Sequence, residues 1–250
     1  MSVSDGLILV ATGFGAGILS TVASIASVLS YPVLLALGLP PLAANVTNTM
    51  SLVLTSAGSV LGSRQELAGQ RARMLRLGLF TALGGAAGAA ALLLAPASAF
   101  AAVVPVLVGG SALILLIQPW IKSLNAKPGA EGSRVRRAGL FCVACYTGYF
   151  GAAGGILLLA TLVSMIDDTL VRLNALKNVL SGFANGVAAI AFAIWAPVHW
   201  SYVPPLAAGF LVGGFIGPRI VRRVPVDTFR VFIALCGLVL AVKLGMSAYR

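Results

Sequence analysis

Long runs without a charged residue dominate this chain. No Asp, Glu, Lys or Arg occurs in residues 6–63, 77–121, 138–166 or 178–218. Each run exceeds the roughly 20 apolar residues with which one helix crosses a bilayer. The pattern predicts two over-long apolar segments, 6–38 and 138–166, and ordinary spans at about 44–62, 77–95, 99–119, 174–195, 200–218 and 228–248. We therefore predict an all-α, polytopic membrane protein with about eight hydrophobic segments.

Composition agrees with this assignment. The 250 residues are 59% hydrophobic and 9% charged, and the mean hydropathy is +1.02, whereas about a quarter of an average soluble domain is charged. The N-terminal sequence "MSVSDG" is acidic rather than basic, so it does not resemble a cleavable signal peptide and we expect the first segment to be retained. The net charge of +11 would suit nucleic acid, but the basic residues lie in short segments beside apolar runs. That placement favours a membrane surface and no nucleic-acid partner.

The three cysteines all lie in apolar segments, at Cys142, Cys145 and Cys236. Their odd number argues against a disulfide framework. Cys142 and Cys145 form a C-x-x-C pair, but the further ligands of a metal site are missing. Small-residue packing is the favoured interpretation, with redox sensing as the alternative, and we expect neither a metal nor another cofactor.

The two halves of the chain repeat one another. Three groups match in the same order at a shift of 128 to 130 residues. The matching groups are Asn48, Ser51 and Thr55 with Asn178, Ser181 and Asn185; Gly84, Gly85 and Gly88 with Gly213, Gly214 and Gly217; and the apolar "SYPVLLALG" region, preceded by Ala26 and Ser27, with "AGGILLLATL", which contains Gly154 and Gly155. We predict a single transmembrane domain over 1–250, with repeat one at 1–121, a basic cytoplasmic linker at 122–137 and repeat two at 138–250.

Two topologies fit the hydrophobic pattern. Eight simple crossings would place the basic residues of 63–76 and 120–137 on one side and those of 219–230 on the other, which divides them nine against four. If each over-long segment instead enters and returns as a broken pair of short helices, all of them share one side with Arg172, and only Arg250 lies opposite. Because basic residues collect on the cytoplasmic side, the second topology is favoured. It inverts the two halves and places both termini outside.

The break points are predicted from small residues, at 20–27 and 149–155. Non-helical backbone is tolerated at membrane depth only where it is buried in protein or lines a watery cavity. The predicted substrate site is therefore at these breaks. Its candidate residues there are Ser24, Ser27, Gly154 and Gly155, with Tyr149 beside the second break; the alternative for Tyr149 is an interfacial aromatic.

A polar stripe follows each break. Asn48, Ser51 and Thr55 share one helix face at spacing i, i+3, i+7, and Asn178, Ser181 and Asn185 repeat it. Such a stripe must face protein or water rather than lipid. We predict that it lines the substrate path; hydrogen bonding between packed helices is the alternative. The glycine sets, in contrast, are predicted to be close-packing faces.

Lys177 begins a predicted helix beside the second stripe. Its ammonium and the helix N-terminus would both attract an anion. The alternative is a lysine whose ammonium extends to the membrane interface. Asp167 and Asp168, in the preceding short loop, are expected to be solvated.

Four segments carry a family resemblance: "SYPVLLALGLPPLAANVTNTMSLVLTSAGSVLGSRQELAGQ", "YTGYFGAAGGILLLATL", "LNALKNVLSGFANGVAA" and "AAGFLVGGFIGPRIVRRVP". They resemble the sulfite exporter TauE/SafE family, also called the TSUP transporters. The resemblance implies a bacterial cytoplasmic-membrane carrier of small sulfur-containing anions such as sulfite, sulfonates or thiosulfate. One departure concerns binding, because the family commonly has "GxGGG" in both halves and the first half here reads Ser24 to Val28 as "SIASV".

The expected function is alternating-access transport of a small anion. An anion channel, or a facilitator for another small organic acid, is the alternative. An enzyme is excluded, because no nucleophile and base and no metal cluster are apparent. The predicted spans contain no carboxylate and the only histidine is His199, so either a proton or sodium remains open as a coupling ion.

Overall fold

A computed structural model describes residues 2–123, 134–221 and 227–248, and those residues contain helices and no strand. The helices are α1 Val3–Ala23, α2 Ala26–Ala36, α3 Pro41–Gly62, α4 Arg64–Leu67, α5 Arg71–Leu94, α6 Ala97–Ser123, α7 Arg134–Tyr149, α8 Gly154–Met165, α9 Leu170–Trp195, α10 Val203–Val221 and α11 Asp227–Ala248. The predicted all-helical class is confirmed for this part of the chain.

Both over-long segments are broken where the small residues predicted it. The first breaks after α1, where Ser24 adopts a left-handed backbone conformation with φ 64°. The second breaks after α7, where Gly151 (φ 74°) and Ala153 (φ 57°) both have positive φ. A left-handed conformation costs an L residue about 1–2 kcal/mol, so contacts around Ser24 and Ala153 must hold these conformations in place. Unlike the short pairs expected, α1 has 21 residues and is itself long enough to span.

Five of the described helices are long and apolar enough to cross a membrane, namely α1, α5, α6, α9 and α10. The apolar helices α2 and α8 are shorter. The 22-residue α3 matches the predicted span at 44–62 in length, although its Asn, Thr and Ser residues make it more polar than the five. A multi-pass membrane protein is therefore confirmed.

Glycines set the closest helix contacts. A Cβ on Gly84 would lie 2.6 Å from the Phe141 carbonyl oxygen, and one on Gly88 would lie 2.8 Å from the Tyr149 nitrogen, so α5 and α7 run parallel. Gly13 and Gly17 likewise meet successive turns of α10, so α1 and α10 run parallel. The predicted close-packing role of the two glycine sets is confirmed, because each of their members would clash with a neighbouring helix if it carried a Cβ.

The packing pairs occur in matched sets. α1 packs on α10 as α5 packs on α7, and α3 packs on α10 as α5 packs on α9. The remaining large pairs are α6 with α11 and α3 with α9. α3 and α9 run antiparallel at the centre, because Ser56 lies beside Gly182 while Ser59 accepts a hydrogen bond from Asn178.

Several helix ends that carry arginine meet at one end of the molecule, which we call the basic face. Arg136, at the start of α7, donates to the Ser164 carbonyl at 2.7 Å, so α8 returns to the face that α7 leaves. Arg172 at the start of α9 donates to the Ala68 carbonyl before α5. The end of α10, next to Arg219, packs on Gly62 at the end of α3. The described parts of all three predicted basic segments therefore share one face.

Asp168 joins two of these segments. Its carboxylate lies 3.2 Å from Arg73 Nη1 and 3.1 Å from Arg172 Nε, and only 16% of its side chain is exposed. The expectation that it is merely solvated was wrong. Partial burial raises the pKa of this carboxyl, but the Thr169 N–H, Arg172 and Arg73 together lower it below its ordinary value. Asp168 therefore links the α8–α9 connection to α5 through its ion pair with Arg73.

Candidate functional site

A polar cavity lies where the two breaks meet α3 and α9. Its volume, taken as the space that a water-sized sphere can occupy, is about 40 Å³. Small hydroxyl, amide and glycine positions make up most of its wall. The lining residues are Ser20, Ser24, Ala26, Ser27, Leu52, Thr55, Ser56, Ser59, Thr147, Gly151, Gly155, Lys177, Asn178, Ser181 and Asn185.

The second-half stripe lies wholly on this cavity. Asn178, Ser181 and Asn185 all line it, as their shared helix face requires. Asn178 Nδ2 donates to Ser59 Oγ at 2.6 Å, and Ser59 also lines the cavity. Asn185 is only 8% exposed and its amide makes no hydrogen bond within the described chain. A buried amide of this kind can bind a polar ligand or ordered water.

The three residues of the first-half stripe have different surroundings. Thr55 lines the cavity, and its buried Oγ1 has no hydrogen-bond partner in the described structure. Asn48 lies behind the cavity wall, where it donates to Ser27 Oγ at 3.1 Å and accepts from Ser30 Oγ at 2.6 Å. Ser51 donates to the Thr47 carbonyl one turn earlier on α3 and does not line the cavity. In the first half, therefore, Asn48 fastens α2 to α3, Ser51 bonds within α3, and Thr55 is the stripe residue that lines the cavity.

Lys177 is the charged residue of the cavity. Its side chain is 2% exposed, and its ammonium donates to Ser24 Oγ at 2.7 Å and to the Ser20 carbonyl at 3.1 Å. The prediction that Lys177 begins a helix was wrong, because α9 begins at Leu170. The alternative in which Lys177 extends to the membrane interface is not the observed arrangement either. A buried ammonium is stable only where hydrogen bonds replace its water, and the last turn of α1 supplies carbonyl dipoles of the favourable sign.

The two breaks touch each other inside the cavity. A Cβ on Gly155 would lie 2.7 Å from Ser24 Cβ, so glycine is required at that position. Ser24, Ser27 and Gly155 line the cavity, whereas Gly154 packs on Thr147 outside it. Helices α2 and α8 both begin here, and their first N–H groups lack partners within the helix. Two positive helix ends therefore converge on one small space.

Tyr149 takes no part in the lining. Its ring packs against Phe100, with the ring centroids 5.8 Å apart, at the end of the molecule opposite the basic face. The second break is instead held by Tyr146, whose hydroxyl donates to the Ala152 carbonyl at 2.6 Å. Ser111 Oγ lies 2.9 Å from the same carbonyl oxygen and 2.7 Å from that of Leu107. The bond from Tyr146 fixes the carbonyl that precedes the left-handed Ala153.

The family comparison identifies the chain. The model of the sulfite exporter TauE/SafE family matches residues 9–244. The chain belongs to the sulfite exporter TauE/SafE family. It is therefore a membrane transporter and not an enzyme, and the family suggested by its four motif segments is confirmed.

Curated relatives agree with the TauE/SafE assignment. The probable membrane transporter protein YfcA of Escherichia coli strain K12 is 24% identical over 237 residues, which cover 92% of this chain and 85% of the relative. YfcA of Escherichia coli O157:H7 matches with the same identity and coverage. No solved structure matches the chain.

Two hydrogen bonds that sequence reasoning missed connect the halves of this TauE/SafE protein. Asn45 Nδ2 on α3 donates to the Tyr149 carbonyl at the end of α7, at 3.0 Å. Asn174 Nδ2 on α9 donates to the Thr21 carbonyl near the end of α1, at 2.8 Å. The positions correspond at shifts of 129 and 128, within the range of the repeat, so the repeat alignment contained the signal. Each half thus caps the last turn of the broken helix of the other.

The donor set of the cavity defines its chemistry. Its described wall offers one ammonium, several hydroxyl and amide groups and two helix N-termini, and no carboxylate lines it. Within the described ranges, no three His, Cys, Asp or Glu side chains come together as a metal site would require. Ser20 and Gly151 lie within the predicted breaks but were not singled out. Sequence reasoning missed Ser56, Ser59 and Thr147, because small residues are common throughout so apolar a chain. An environment rich in donors and positive in charge suits a small anion.

Proposed function

We propose that this TauE/SafE transporter carries a small oxyanion, specifically a sulfur-containing one such as sulfite, a sulfonate or thiosulfate. The observation that carries the proposal is the buried Lys177 ammonium, on a cavity wall whose other polar side chains are hydroxyls and amides that can donate hydrogen bonds and include no carboxylate. Oxygen atoms of a small anion would accept from Lys177, Asn185 and Thr55 together. The sulfur-containing class rests on the family, whose description names sulfite.

Substrate binding is proposed to weaken a link between the halves. Lys177 on α9 now donates to Ser24 and Ser20 beside the first break. An anion in the cavity competes for those same N–H groups, so it would weaken the attachment of α9 to α1. The Lys177 bonds form in one state and give way in the other, which is what alternating access requires.

The architecture behind this mechanism is proposed to be two inverted repeats, 1–121 and 138–250, joined by the linker 122–137. Three observations support it: the matched packing pairs, the antiparallel α3–α9 pair, and the return of α8 to the basic face. By the positive-inside rule the basic face is cytoplasmic in a bacterial inner membrane, and both termini lie outside.

Cysteine labelling tests this topology. Cysteines introduced at positions 2 and 250 would both react with an impermeant reagent added outside intact cells. Protection of position 2 would refute the topology.

Transport by purified protein in liposomes tests the function. The panel is sulfite, thiosulfate, a short sulfonate and a small carboxylic acid, each under imposed proton and sodium gradients. We expect saturable flux and counterflow for at least one sulfur oxyanion, with the effective gradient identifying the coupling ion. Flux of only the carboxylic acid would refute the substrate class, and flux without saturation or counterflow would indicate a channel.

A further inference from the structure

A second feature lies on the outer surface of the helix bundle, away from the cavity. An open groove of about 480 Å³ runs between α5 and α7 near the basic face. Its walls are apolar except at one end, where two arginines stand. The lining residues are Phe80, Leu83, Arg134, Arg137, Ala138, Phe141 and Cys142.

The polarity of the groove changes along its length. On α7, Arg134, Arg137 and Phe141 have spacing i, i+3, i+7 and share one helix face. The arginines belong to the first turn of α7 at the basic face, and Phe141 lies about 6 Å deeper at 1.5 Å per residue. Across the groove, Leu83 is 54% exposed, so in a membrane it faces acyl chains. Along the groove a charged end is followed by an apolar stretch, which is the order of the headgroup and the acyl chains in a phospholipid.

Arg137 is held at the mouth of the groove. Its Cζ lies 6.0 Å from the centroid of the Phe80 ring, within the range of a cation–π interaction. Arg134 beside it is exposed. The described lining contains two guanidinium groups and no acidic residue. Arg73 and Arg172, on the same face, are paired with Asp168 and do not line the groove.

This charge pattern selects the ligand. A phosphodiester between two guanidinium groups can accept paired, charge-assisted hydrogen bonds, and basic pockets between transmembrane helices on the cytoplasmic side bind anionic headgroups. We propose that the α5–α7 groove binds one anionic phospholipid, with its phosphate on Arg134 and Arg137 and an acyl chain along Phe80, Leu83 and Phe141. The lipid is bound apart from the transport cavity, so the site does not depend on the substrate proposed above.

Native mass spectrometry of the full-length protein in detergent tests the site. The protein is titrated with phosphatidylglycerol and, separately, with phosphatidylcholine bearing the same acyl chains. We expect one phosphatidylglycerol to bind in preference to phosphatidylcholine, with a loss of about fivefold in affinity for each arginine replaced. The variants are Arg137→Gln and the double variant Arg134→Gln/Arg137→Gln.

Arg219→Gln is the matched control. Arg219 also stacks on an aromatic ring, with its Cζ 4.3 Å from the Phe215 centroid, but it lies on α10 outside the groove. The control should keep the preference for phosphatidylglycerol. Leu83→Trp, which retains both arginines and fills the tail path, should lose the bound lipid, and it gives the answer if the arginine variants do not fold.

Three results would overturn the proposal. One is equal binding of the two lipids by the unaltered protein. Another is an unchanged preference in both the double arginine variant and Leu83→Trp. The third is displacement of phosphatidylglycerol by an equal concentration of glycerol phosphate, because a site for a free phosphate would not need the acyl groove.

Discussion

Single residues in this protein take roles that depend on neighbours far away in sequence. Asn48 and Asn178 match at a shift of 130 residues in the sequence, yet Asn48 is bonded to Ser27 and Ser30, while Asn178 lines the cavity and donates to Ser59. Helical spacing placed both on a polar face and could not say what that face meets. The burial of Lys177 could not be predicted either, since its partner, the Ser20 carbonyl, lies at the end of α1. The pattern of residue types was predictable, but their partners were not.

Thr55 provides the first test of the cavity as a binding site. Its Oγ1 is buried and unpartnered in the described structure, so Thr55→Val removes a hydroxyl with almost no change in shape. We expect thermal stability to be kept or raised. Substrate affinity should fall by about two- to tenfold, the equivalent of one neutral hydrogen bond of roughly 0.5–1.5 kcal/mol.

Ser51→Ala is the control for Thr55→Val on the same helix. Ser51 hydrogen-bonds only within α3 and lies off the cavity, so transport by this variant should match that of the unaltered protein. The Michaelis constant for the transported anion, measured in liposomes, distinguishes the two variants. Equal effects of Thr55→Val and Ser51→Ala would show that Thr55 does not contact substrate.

At the scale of helices, the breaks and the close glycine contacts could be predicted, and the cross-links between halves could not. The small-residue segments 20–27 and 149–155 indicated where the breaks lie, although Ser24 and Ala153 need surrounding contacts to hold their positive φ. The long α1 and the ion pairs of Asp168 did not follow from hydropathy, since they arise from the three-dimensional meeting of segments far apart in the chain. Glycines in sets spaced by four residues indicated packing faces but not which helices they join.

Gly88 tests the α5–α7 contact. A Cβ there would collide with the Cys145 carbonyl and the Tyr149 nitrogen, so Gly88→Ala must separate the two helices. We expect a loss of about 1–3 kcal/mol in stability, typical of overpacking, measured by thermal unfolding in detergent. Gly110→Ala on α6 is the matched control, because its Cβ meets nothing within 4 Å. Similar losses in both variants would refute the close contact.

For the whole molecule, the central feature is a cavity built jointly by both halves. Ser24 and Gly155 bring the breaks together, while Asn45 and Asn174 tie each half to the end of the other's broken helix. Charge counting along the sequence predicted that the basic segments share a face, and their described parts do so. The joint cavity was predicted in general position only, because its wall consists mostly of small residues that no motif distinguishes.

The account depends most directly on Lys177 as the anion-binding group. The decisive measurement is counterflow of a transported sulfur oxyanion in liposomes that contain the unaltered protein, Lys177→Met or Lys177→Gln. Lys243→Met, on the exposed face of α11, is the control for the loss of one positive charge. If Lys177 binds the anion, both substitutions at 177 reduce the ratio of the maximal transport rate to the Michaelis constant by roughly 10- to 100-fold, as expected for a hydrogen bond to a charged group. Lys243→Met has no effect on this ratio. Undiminished counterflow by folded Lys177→Met and Lys177→Gln proteins would contradict the account.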